Sequence, residues 1–227
     1  KKAEIIAAMG FFTAIILGLL LAVVGLSRLD SLVKLLGATS TVAPYARSYG
    51  RYILIAAPYM CASFVLNNLL RSQGKAFKSM IGIATGGVLN MVLDPILIFK
   101  FNLGISGAAI ATIVSQLISF LILSYMIFSD KELCKPKISN VVIKFWPYRE
   151  IIHGGLPTLC RQGLASVASI TLNVAAAAFG DAAIAAMSIV NRIMMFIYSS
   201  LIGFGQGFQP VCGYSYGAKK YQRVLDA

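Results

Sequence analysis

The chain has 227 residues, 58% of them hydrophobic and only 12% charged, with a mean hydropathy of +0.80. An ordinary soluble domain is about 25% charged, so this composition excludes one. The net charge of +12 does not call for nucleic acid, because membrane proteins concentrate Lys and Arg in the loops on one side.

The first predicted element is a membrane span over residues 5–27. Ile5–Ser27 carries no charge across 23 residues, and about 18 apolar residues suffice to cross a bilayer as a helix. The run has the length of a span and lacks a small-residue cleavage site, so it does not read as a cleavable signal. Residues 28–51 connect it to the next span through a short surface helix. "LDSLVKLLG" sets Leu29, Leu32, Val33 and Leu36 at helical spacing, with Gly37 as the C-cap. The second span covers 52–70, the third 79–99 and the fourth 102–128. Tyr52–Leu70 is charge-free over 19 residues and Phe101–Ser129 over 29. Residues 129–150 form the longest polar stretch and read as a linker. Trp146 and Tyr148 beside Lys144 and Arg149 fit an interfacial belt ahead of the fifth span. The fifth and sixth spans cover 151–180 and 182–210. Gly82, Gly86 and Gly87, then Gly104, Gly107, Ala108 and Ala111, would let helix backbones approach closely. "GFGQGFQP" is expected to loosen the sixth span.

Only helices or closed barrels satisfy the backbone inside a bilayer. These runs are too long and continuous for barrel strands, so the fold class is all-α, a polytopic bundle of six transmembrane helices. Six crossings put both chain ends on one side. That side collects Lys1, Lys2, Arg71, Lys75, Lys78, Lys131, Lys135, Lys137, Lys144, Arg149, Lys219, Lys220 and Arg223, thirteen basic residues. The other side holds Arg28, Lys34, Arg47, Arg51 and Lys100, five in all. The bias makes the richer side cytoplasmic in a cell membrane.

The polar residues within spans carry the chemistry. Asp94, in "VLNMVLDPILIF", is the one acid inside the first four spans, and Asn90 shares its helix face four residues earlier. A carboxylate and an amide oxygen on one face suit Na+ or a transferable proton. The competing reading makes Asp94 an N-cap and Pro95 the first residue of a restarted helix. Asn67, Asn68 and Thr112 each read singly as helix–helix hydrogen bonds. Arg161 and Arg192 lie within spans and either line a cavity or reach the interface. Cys61, Cys134, Cys160 and Cys212 show no metal-site spacing and read as free thiols. His153 is the lone histidine and reads as structural. With no HExxH, no paired carboxylates and no Ser/His pair, the chain does not read as an enzyme.

Three stretches resemble the multidrug and toxic compound extrusion (MATE) family. They are "LRSQGKAFKSMIGIATGGVLNMVLDPILIFKFNLGISGAAIATIVSQ" (Leu70–Gln116), "GLPTLCRQ" (Gly155–Gln162) and "NRIMMFIYSSLIGFGQGFQPVCGYSYGAKKYQRV" (Asn191–Val224). Ser215 departs mildly from the family's usual Asn. The resemblance implies twelve spans in two six-helix lobes, of which this chain would supply the third to eighth. Residues 1–128 would be four helices of the N-terminal lobe, 129–150 the inter-lobe linker, and 151–227 the first two helices of the C-terminal lobe. It implies antiport of cationic or amphipathic drug-like compounds against Na+ or H+, with no organic cofactor. The partners would be the bilayer and the remainder of the same transporter. By the same resemblance the ion site comprises Asp94, Asn90, Thr112, Asn67 and Tyr49, and faces a first-span acid outside the chain. Ala165 stands where some members carry a seventh-span Glu. Arg161, Gln162, Arg192 and Gln206 are expected to line the substrate cavity. A lipid-linked-precursor flippase of the same wider superfamily is the alternative, and it requires a large basic cavity.

Overall fold

The computed structural model describes residues 2–130, 133–142 and 145–226. Of the basic residues counted toward topology, Lys1, Lys131 and Lys144 lie outside these. Among the described residues every regular element is helical. The first span is α1 (Lys2–Ser27), and the surface helix is α2 (Leu29–Leu35). Gly37 follows α2 with φ +85°, the left-handed geometry of a helix stop, and Ala38 N–H closes onto the Val33 carbonyl at 3.3 Å.

The second span is α3 (Ala43–Ser72), which starts nine residues earlier than hydropathy suggests. Pro44 in its first turn fits a helix start, where a missing N–H costs nothing. The third span is α4 (Ala76–Pro95), continued by a π-helical turn over Ile96–Lys100. The fourth is α5 (Gly104–Ser129). The linker is tied down rather than loose. Leu133 is buried with Phe11, Leu70 and Ile127, and Gln73 accepts from the Cys134 N–H at 2.6 Å. The linker ends earlier than predicted, because α6 (Phe145–Ala177) already includes Trp146 and Tyr148. The last span is α7 (Asp181–Gly217), followed by α8 (Tyr221–Asp226). The expected loosening at "GFGQGFQP" does not occur, and α7 runs unbroken through Gly203, Gly205, Gly207 and Pro210. Membrane helices tolerate such residues because neighbouring polar groups and small local adjustments satisfy the backbone groups they free.

Contacts fix the directions. A Cβ on Gly18 would stand 2.6 Å from Pro58 Cα, so α1 and α3 touch backbone to backbone. Gly25 faces the Leu54 side chain, which makes the pair antiparallel. Gly82 lies against Leu123, Gly86 against Ser119, and Gly107 against the Leu97 carbonyl, so α4 and α5 are antiparallel too. Ser48 meets Ser106 at 2.8 Å and Tyr59 donates to the Ile113 carbonyl at 2.9 Å, which sets α3 parallel to α5. The interior uses small residues such as Ala8, Ala56, Ala62, Ala109 and Ala111, while Phe64, Phe77, Phe99 and Tyr125 point outward. This is how membrane bundles pack, since lipid rewards close backbone approach more than apolar burial.

One end of the bundle, the linker face, gathers the turn around Gly74, the linker and the far end of α7. Lys78 pairs with Asp130 there at 2.7 Å, and Arg71 reaches Gln206. The opposite face holds the Arg47–Asp30 pair at 2.6 Å, and Gly37 against Val174 of α6. Both α6 and α7 therefore cross the same slab as the first four long helices. Among the described residues five helices are both long and apolar enough to cross a membrane, namely α1, α3, α4 with its π turn, α5 and α7. At 33 residues α6 is long enough, but Arg149, Glu150, Arg161 and Gln162 dilute its apolar character.

Candidate functional site

Asp94 sits in the last turn of α4, with Pro95 behind it in helical geometry (φ −63°, ψ −33°). The helix does not break and restart here, which overturns the N-cap reading. Instead the spacing widens. Phe101 N–H donates to the Ile96 carbonyl, five residues back, at 3.1 Å. Proline has no N–H to give the preceding turn, and a π turn is the usual local response to an irregular hydrogen-bond ladder. Asn90 Nδ2 donates to Asp94 Oδ1 at 3.2 Å across one turn, and both side chains are half-buried. Asp94 Oδ2 meets no hydrogen-bond donor among the described residues. With its amide nitrogen so engaged, Asn90 keeps its own Oδ1 free to accept. The pair thus offers two oxygens with open lone pairs on one helix face.

The α4–α5 register, with Leu97 opposite Gly107 and Gly86 opposite Ser115 and Ser119, brings Thr112 level with the stretch between Asn90 and Asp94. Its hydroxyl donates to the Ala108 carbonyl at 2.9 Å, which leaves the oxygen able to accept or ligate. Tyr49 follows Ser48, whose partner Ser106 stands about one turn beyond Asp94 toward the opposite face. Tyr49 is 38% exposed and makes no hydrogen bond to Asp94 among the described residues. Asn67 belongs elsewhere. It is buried and donates to Ser79 Oγ at 2.5 Å and to the Ser79 carbonyl at 3.3 Å. Ser79 precedes Asp94 by fifteen residues on α4, about 22 Å by helical rise. The structure does not bring Asn67 to the Asp94 pair, and its amide is consumed by a bond that ties α3 to α4.

A second feature lies at the linker face. A cavity of about 1230 Å³ opens between α3, α6 and α7. Arg161, Gln162 and Gln206 line it, as the sequence suggests, but Arg192 is not among its lining residues. Arg71, Asn68, Thr158 and Gln209 line it and escaped sequence reasoning. Asn68 and Arg71 share a face at helical spacing, which was the available signal. Arg71 donates to Asn68 Oδ1 at 2.6 Å and to Gln206 Oε1. All four cysteines are free, and Cys212 borders this cavity.

An all-helical bundle with several membrane-length apolar helices, polar groups inside them and a cleft between helix groups is the architecture of a polytopic transporter. The family model MatE matches residues 1–96 and 157–226, and the chain belongs to that family. It is 30% identical over 227 residues to "Multidrug export protein MepA" of Staphylococcus aureus (strain NCTC 8325 / PS 47), a match covering 97% of this chain and 49% of that protein. Among solved structures it is similar to an outward-facing multidrug resistance MATE family transporter of the MOP superfamily, with 27% identity and a TM-score of 0.86, covering 99% of this chain and 50% of the other. It is equally similar, at 27% identity and TM-score 0.86, to a MOP superfamily transporter from Pyrococcus furiosus whose binding pocket is described as of reverse polarity; that match covers 99% of this chain and 50% of the other. The chain spans about half the length of the relatives it matches.

Proposed function

We propose that the intact protein is a secondary active exporter of cationic or amphipathic drug-like compounds, driven by Na+ or H+ entry. The chain would supply the third to eighth of its spans: residues 1–128 in one lobe, 129–150 as linker and 151–227 in the other. The linker face would be cytoplasmic, in keeping with its excess of Lys and Arg. The observation that carries the reading is the half-buried Asn90–Asp94 pair in an otherwise apolar helix. An intramembrane carboxylate is costly and marks an ion or proton pathway by default. Asp94 would bind the ion, Asn90 would hold its carboxylate in place, and Thr112 would add an oxygen from α5. Ion binding would favour one of two lobe arrangements, and cargo binding the other.

Asp94 and the Arg161 cavity stand toward opposite faces, so coupling would pass through helix movement rather than direct contact. The amphipathic half of the cargo expectation fits the described cavity better than the cationic half, because none of its described lining residues is acidic. For the same reason the lipid-linked-precursor flippase stays the second reading. The test is dye export from proteoliposomes holding the intact protein under an imposed Na+ or proton gradient. Gradient-driven export is expected, and export indifferent to both gradients contradicts the proposal.

A further inference from the structure

The cavity at the linker face has walls of one sign. Arg71 and Arg161 both line it, and no described lining residue carries a carboxylate. Two basic side chains away from the cavity are paired with acids, Arg47 with Asp30 at 2.6 Å and Lys78 with Asp130 at 2.7 Å. Among the described residues Arg71 meets only the amide oxygens of Asn68 and Gln206. Those acceptors aim the guanidinium without neutralising it. Arg161 makes no ion pair or hydrogen bond among the described residues. Arg161 is exposed to the open cleft and Arg71 is partly buried beside it, so both guanidinium groups can reach a bound molecule. Leu159, Ile202 and Phe208 add apolar wall to the same cavity.

We propose that Arg161, assisted by Arg71, recognises an anionic group, phosphate or carboxylate, on the transported amphiphile, while the apolar wall receives its tail. Guanidinium presents a planar fork of donors that matches both groups. At about 1230 Å³ the cavity is at least as large as the sites that hold drug-sized ligands. The inference rests on the exporter reading and narrows its cargo. Two sources share this chemistry: a water-soluble amphiphilic carboxylate and a membrane phospholipid.

The experiment uses the intact protein in proteoliposomes with three fluorescent probes: an alkyl-chain carboxylate dye, a quaternary ammonium dye and a short-chain phosphatidate. Wild type is expected to move at least one anionic probe, which identifies the source. Arg161→Gln is expected to lower the ratio of anionic to cationic transport roughly tenfold or more, as loss of a charge-assisted bond implies. Arg161→Lys should restore part of it. Arg192→Gln, which changes an equal charge outside the cavity, should leave the ratio unchanged and controls for net charge. The inference is overturned if neither anionic probe moves while the cationic dye is exported. It is equally overturned if Arg161→Gln and Arg192→Gln behave alike. If no probe responds to an ion gradient in wild type, the exporter reading itself fails, a distinguishable result.

Discussion

Asp94 and Asn67 are both polar side chains within apolar helices, yet their neighbours give them different work. Asp94 keeps an oxygen with no donor, whereas Asn67 spends its amide on Ser79. Replacing Asn67 with Ala should leave buried Ser79 groups without their partner and cost about 1–3 kcal/mol. Thermal unfolding in detergent would read this as a lowered midpoint. Because Asn67 lies about 22 Å from Asp94 by helical rise, the ion dependence of transport should not change; a shifted ion dependence would place it back in the site. The Asn90–Asp94 pair was legible in sequence because spacing of four within one helix is a local property. Asn67 was not, since its partner on the neighbouring helix depends on how α3 and α4 lie together. Arg71 was hidden for a related reason. Hydropathy assigns it to a loop, but the helix continues through it and carries it into the cavity.

Between helices, the controlling quantity is how closely two backbones meet. Gly86 and Gly87 are adjacent, but a Cβ on Gly86 would stand 2.9 Å from Ser119 Cβ, while one on Gly87 would meet nothing within 4 Å. Gly87→Ala is therefore expected to be neutral or to stabilise α4 by up to about 1 kcal/mol, the usual helix gain over glycine. Gly18→Val should do the reverse. Its Cβ would press on Pro58 backbone, which cannot rotate away, and overpacking of this kind costs about 1–3 kcal/mol. Midpoints from thermal unfolding of the two variants should move in opposite directions, and a common direction would reject the packing assignment. The small-residue pattern disclosed that a close contact exists, but not which glycine faces it. Helix existence was readable from charge-free runs, whereas ends were less so. The start of α3 at Ala43 and the extension of α7 to Gly217 lie in polar sequence, where backbone pairing and not hydropathy decides.

At the scale of the molecule, the chain has two packing regimes. Helices α1, α3, α4 and α5 share a core, while α6 and α7 are exposed along most of their length, with Phe196, Phe204 and Met195 among the outward groups. Within the four helices that share this core, amide hydrogen exchange of the intact protein in detergent should find α3 and α5 slower than α4, because exchange follows local burial and α4 is the least buried of the three. Equal protection of the three would contradict the packing described. Sequence patterning yielded an all-helical chain with several membrane-length apolar helices, but not this asymmetry, which arises from which helices find partners within the chain. The central claim is that Asp94 couples ion entry to export. Its most direct test is gradient-driven export by the intact protein carrying Asp94→Asn, an isosteric change that removes the titratable charge. The account predicts loss of gradient-driven export, about tenfold or more for a charge-dependent interaction, in a protein that still folds and inserts. Ion-driven export at the wild-type rate would contradict it.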